Sequence, residues 1–139
     1  MAAQPSSVPS RDDIARLVDA FYDRVQRDGV LGPVFNPIVR DWDEHKALLV
    51  RFWSSVALGT REYRGNPMAV HRPLAIDDGH FGRWLGLWRA TTREVLAPAQ
   101  ADLMYEHALR IGASLRYGMG LDRERRRPLK LPVIGVDAP

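Results

Sequence analysis

His71 stands between two prolines, in the run Asn66-Pro67-Met68-Ala69-Val70-His71-Arg72-Pro73. Asn66 is a good helix cap, Pro67 fits a first helical position, and Pro73 forces Arg72 out of helical backbone. The spacing therefore predicts a helix of barely two turns with His71 in the last. Leu74 and Ile76 follow as apolar anchors, and Asp77 or Asp78 offers a cap for a long helix carrying Phe81, Trp84, Leu85 and Trp88 on one side. A histidine on a short, stiff support facing large aromatics can hold a flat cofactor by its metal, because neutral imidazole is a common metal ligand and needs a fixed ring orientation. Read alone, the same residues fit an exposed loop histidine beside ordinary core tryptophans.

Two further histidines lie on apolar stripes. His45 opens the series His45, Leu49, Phe52, Trp53, Val56 at helical spacing, so it points where the apolar residues point. A boundary residue satisfied by a hydrogen bond reads the same way. His107 lies among Leu103, Met104, Ala108, Ile111 and Leu115, and reads as structural. Tyr22 falls on the buried side of Ile14, Leu17, Val18, Phe21 and Val25, so its hydroxyl needs a partner inside.

The elements that must position these side chains are helical. Ser10 with Asp13 resembles a capping box, opening a helix that runs to about Asp28 and ends at Gly29. Leu31-Gly32-Pro33-Val34-Phe35 makes a tight apolar corner. A second helix starts near Asp41 or Asp43 and stops at Gly59; a third covers about Asp78 to Leu96; Pro98 starts a fourth that ends at Gly118 and Gly120. No stretch alternates with a period of two for long enough to build a sheet. The expected architecture is all-α, four main helices in two antiparallel pairs plus short pieces.

Size and composition narrow the function. At 139 residues, with 45% hydrophobic and 27% charged, the chain reads as one soluble domain. It has no cysteine, which excludes disulfides, zinc–thiolate sites, iron–sulfur clusters and thiol catalysis. The expected organisation is a disordered segment over 1–10, a helical domain over 11–120 and a basic tail over 121–139. No secretory signal or membrane span is legible, so the expected location is the cytoplasm. The net charge is +3, of which the tail contributes +2, from Arg123, Arg125, Arg126, Arg127 and Lys130 against Asp122, Glu124 and Asp137. The folded part is nearly neutral, which argues against nucleic acid as a partner.

Taken together, several pieces resemble one family. They are Phe21-Tyr22 with Val25, Leu31 to Phe35, Glu44-His45-Lys46-Ala47 leading into Phe52-Trp53, Tyr63-x-Gly65-x-Pro67, His71 with Leu74, and Phe81-x-x-Trp84-Leu85-x-Leu87. In this order, over residues 13 to about 117, the chain resembles the truncated haemoglobins, specifically group III, the P type. The paired-glycine motifs usual in groups I and II are lacking, which agrees with that assignment; the tail after Gly120 lies outside the resemblance, and Arg72-Pro73 after the histidine alters how the short helix ends.

The resemblance implies a truncated globin, a two-over-two helical sandwich enclosing haem b. It implies His71 as the proximal iron ligand, Phe35 packed on the haem face, and Tyr22, His45 and Trp84 as the polar distal set. Leu49 and Trp53 would line the distal side, Leu74 and Phe81 would complete the cofactor contacts, and Arg72 or Lys46 would meet a propionate. The expected ligands are oxygen, nitric oxide and carbon monoxide, bound by a monomer. A ligand that draws electron density from iron rewards hydrogen-bond donors, and a charge-assisted bond is worth about 1.5 to 3 kcal/mol, or roughly ten- to a hundredfold in dissociation. Such retention fits redox turnover, as nitric oxide dioxygenation or peroxide reduction, better than oxygen delivery. No flavin or nicotinamide fingerprint occurs, so turnover requires an external electron donor. The alternative is non-catalytic oxygen binding, transport or gas sensing, with the tail docking a partner. His45 is open between a donor to the ligand and a gate to solvent.

Overall fold

In a computed structural model, which describes residues 7–67, 71, 74 and 76–120, the chain is helical, and the described residues contain no strand. Helix α1 covers Arg11–Arg27 and opens on a reciprocal cap: Ser10 Oγ accepts from Asp13 N at 3.0 Å while Asp13 Oδ2 accepts from Ser10 N at 2.9 Å. It buries Ile14, Leu17, Val18, Phe21 and Val25, the stripe expected from their three- and four-residue spacing.

A single turn, α2 (Gly32–Phe35), follows at once. Asp28 makes this corner possible. Its Oδ2 accepts from Val30 N at 3.0 Å and Leu31 N at 2.9 Å, so one carboxylate satisfies two loop donors. Gly32 is required by the close approach of the chain, because a Cβ there would lie 2.9 Å from Gln26 O.

Helix α3 (Trp42–Leu58) is capped by Asp41, whose side chain accepts from Glu44 N at 3.1 Å, and is stopped by Gly59 in the left-handed region, φ 69°. Helix α4 (Asp78–Val95) is capped by Asp77, and His80 returns the bond by accepting from Asp77 N at 3.0 Å. Helix α5 (Pro98–Gly118) begins on its proline.

Ion pairs fix the directions. Lys46 reaches Asp19 and Asp23, and Arg11 reaches Glu62, so α1 and α3 run antiparallel. Arg24 with Glu94, and Asp28 with Arg83, set α1 antiparallel to α4. Arg89 with Asp102, and Arg116 with Asp78, do the same for α4 and α5. The core between these helices is Ile14, Leu17, Val18, Phe21, Val25, Leu31, Trp53, Trp88, Leu96, Ala101, Met104 and Ala108. Residues 1–6 of the first expected segment and all of the tail, 121–139, lie outside the described residues.

Candidate functional site

His71 is helical, as is Pro67 four residues before it, and its Nδ1 lies 2.7 Å from the Pro67 carbonyl oxygen. A carbonyl can only accept, so Nδ1 carries the proton and Nε2 is left with its lone pair outward. The turn that follows is closed by Leu74 N donating to His71 O at 2.9 Å. An imidazole whose Nδ1 is fixed by a main-chain acceptor is held in one tautomer and one orientation, the condition a metal ligand needs. Leu74 is half-buried beside it. Arg72, the expected propionate partner, lies outside the described residues.

His45 is half-buried near the start of α3. Burial lowers its pKa, and the nearness of His71 adds a smaller push in the same direction. His45 is thus favoured neutral. Trp42, one turn before it, sets its ring edge-on to His45 at 5.5 Å and tilted by 30° to Tyr22 at 6.4 Å.

Tyr22 stands on α1. Its ring meets Phe21 edge-on at 4.6 Å. Burial pushes the phenol up to about 12, moderated by the indole N–H groups of Trp53 and Trp84 acting on its oxygen. By surface area Tyr22 is half-buried. A phenol so placed keeps its proton through the whole physiological range.

Trp84 on α4 is half-buried and stacks 5.9 Å from Trp88 and 6.4 Å from Trp53. Trp53 is 1% exposed and stacks on Trp88 at 4.4 Å, yet its Nε1 has no hydrogen-bond partner. The influence of its N–H on Tyr22 thus falls short of a formed bond. Leu49 and Phe35 are partly buried and pack on the core beside this group. Phe81 is buried, with the Arg116 guanidinium 5.3 Å above its ring.

Ring contacts bring Tyr22, Trp53 and Trp84 together around Phe21 and Trp88, and Trp42 links Tyr22 to His45, which His71 lies near enough to influence. Lys46 is not available as a propionate partner, since Asp23 at 2.6 Å and Asp19 at 2.9 Å engage it. His107 lies apart, accepting from Arg110 at 2.8 Å. Two contributors escaped sequence reading. Trp42 was signalled only by its position three residues before His45, and the Pro67 carbonyl only by the four-residue step to His71.

Among the described residues no group of three or more His, Cys, Asp or Glu could cage a bare ion. A metal carried in a macrocycle needs one protein ligand, and the residues present fit that case: a pre-oriented imidazole, a facing polar set, and a buried indole N–H without an acceptor.

The model of the bacterial-like globin family matches residues 7–110. The chain belongs to the bacterial-like globins. Within them it is a group III truncated haemoglobin. It is 30% identical over 109 residues to the group 3 truncated hemoglobin ctb of Campylobacter jejuni, covering 75% of this chain and 86% of that one. The crystal structure of group III truncated hemoglobin from Campylobacter jejuni superimposes with a TM-score of 0.75 at 28% identity, over 81% of this globin and 93% of that chain. Membership implies haem binding, and with it the binding of diatomic gases. No helix of the described residues is long and apolar enough to cross a membrane.

Proposed function

We propose that this globin binds haem b through His71 and holds oxygen, nitric oxide or carbon monoxide on the side of Tyr22, His45 and Trp84, with redox turnover of reactive species driven by an external electron donor. Haem b supplies, when bound, an iron centre that takes diatomic ligands and changes oxidation state. The observation that carries the reading is the His71 imidazole, its Nδ1 held by Pro67 O at 2.7 Å.

The residues divide the work. His71 orients and presents Nε2. Tyr22, protonated because burial raises it to about 12, presents a hydroxyl to any ligand atom that gains negative charge. His45, pushed towards its neutral form, presents an imidazole edge at the boundary of the site beside Trp42. Leu49, Phe35 and the Trp53–Trp88 stack exclude water behind them. Phe81 and Leu74 complete the cofactor side, and Arg72 is the proposed propionate partner. The working form is a cytoplasmic monomer whose domain is residues 11–120.

The donors favour retention over release, which supports chemistry on the bound gas over its delivery. Steady-state consumption of nitric oxide or peroxide with a supplied reductase tests this. A rate well above that of free haem is expected, and a rate equal to it overturns the turnover reading while leaving ligand binding intact.

A further inference from the structure

Trp42 opens α3, a place where a tryptophan does nothing for the helix: Asp41 already caps it, and a first turn favours acidic side chains such as Asp43 and Glu44. Its reason lies outside the helix. The half-buried indole has three neighbours. Its Nε1 donates to Asn36 Oδ1 at 3.2 Å, its ring lies 6.4 Å from Tyr22, and it stands at 85° to the His45 ring at 5.5 Å.

Asn36 fixes that ring. As the C-cap of α2 it uses both ends of its amide: Nδ2 donates to Gln26 O at 3.0 Å, and Oδ1 accepts from the indole. The two ends cannot be exchanged, because a main-chain carbonyl only accepts and an indole N–H only donates. Gly32 leaves room for the amide, since a Cβ there would lie 3.2 Å from Nδ2. One N–H in a flat ring fixes the rotation of the whole ring, so the indole plane is set by α1 and α2 as well as by α3. His45 has no such tie. Among the described residues its ring nitrogens have no hydrogen-bond partner, and its ring contact is with Trp42.

We propose that Trp42 is a positioning residue for ligand entry: held by the Asn36 amide, its indole keeps the His45 imidazole at the boundary of the site, so that Asn36 governs through two rings how fast a gas enters. This rests on the haem reading above. An edge-to-face ring pair biases a side chain's position by roughly 2- to 12-fold. That is enough to set an entry rate when the imidazole must swing aside. The bias requires a fixed indole, because a ring free to turn follows the imidazole instead of opposing it. Asn36 is exposed and has no role in holding the ligand, yet its loss frees the indole, and the indole frees His45.

Two readouts test it. In the ferrous carbonyl form, which is diamagnetic, proton cross-relaxation between the Trp42 indole and the His45 ring is expected in the native protein and is expected to weaken in Asn36→Ala. Its absence from the native protein, or its persistence unchanged in the variant, overturns the inference. Carbon monoxide association after flash photolysis is then followed for Asn36→Ala and for Trp42→Phe, which keeps a ring and loses the N–H. Each is expected to speed entry roughly 2- to 12-fold, with no further gain when the two are combined and no gain at all in a His45→Leu background. Unchanged association, or the same fold-change with and without His45, overturns the inference, since the indole would then act only as bulk. A missing Soret band in the native chain sinks the haem reading instead, and is distinguishable from a normal Soret band with association indifferent to Asn36 and Trp42.

Discussion

Asp28 offers a quantitative test of how the site is held together. Its carboxylate accepts from Val30 N and Leu31 N, and Arg83 on α4 reaches its Oδ1 with Nε at 2.8 Å. Arg83 is the neighbour of Trp84, and Asp28 ends the helix that carries Tyr22, so this contact sets the register of the two side chains. Arg83 above all, followed by the loop N–H donors against the cost of burial, lowers the Asp28 pKa from the ordinary 3.8 to about 2. At about 1.4 kcal/mol per tenfold, that difference is on the order of 2 kcal/mol. Asp28 is 8% exposed but the Arg83 side chain is 53% exposed, so solvent screening trims the value towards 1 kcal/mol. The folded pKa is depressed, so the contribution is fully present above about pH 4 and is lost as pH falls through about 2. Denaturant unfolding of the native protein and Asp28→Asn, from pH 7 down to pH 3, measures it. The variant is expected to be less stable by about 1 to 2 kcal/mol at pH 7, with the gap narrowing as the acid limit is approached. A gap that stays constant with pH would refute the electrostatic reasoning and leave only loop geometry.

Tyr22→Phe removes the proposed donor hydroxyl, and stopped-flow oxygen dissociation is expected to accelerate at least tenfold, the lower end for a charge-assisted bond; an unchanged rate would exclude Tyr22 as donor. His45→Leu is expected to raise the ligand association rate with little change in dissociation, because the half-buried imidazole stands at the boundary beside Trp42; a change confined to dissociation would make it a donor instead. Gly32→Ala places a Cβ 2.9 Å from Gln26 O and 3.2 Å from Asn36 Nδ2, so thermal or denaturant unfolding is expected to show a loss of about 1 to 3 kcal/mol, and full stability would mean the corner can open without cost.

Local signals carried the helices well. Ser10 with Asp13, Gly59 and Pro98 each act within a few residues, so the boundaries of α1, α3 and α5 were legible from spacing alone. The inward direction of His45, Tyr22 and Trp84 followed from helical period in the same way. Partners far along the chain were not legible. Lys46 was open to a propionate, yet Asp19 and Asp23 sit opposite it once α1 and α3 pack. Asp28 looked like a helix-end residue, and its tie to Arg83 appears only when α4 is laid against α1. Periodicity placed Trp53 on the buried side but could not say that its N–H is left there without a partner, since that depends on how Trp84 and Trp88 stack against it.

The central claim is that one imidazole secures the cofactor. Absorption spectra of the oxidised, reduced and carbonyl forms, recorded for the native chain and for His71→Ala, test it most directly. The native protein is expected to give histidine-ligated haem spectra that are lost in His71→Ala and regained on adding free imidazole. Identical spectra from the two proteins would place the ligand on another residue.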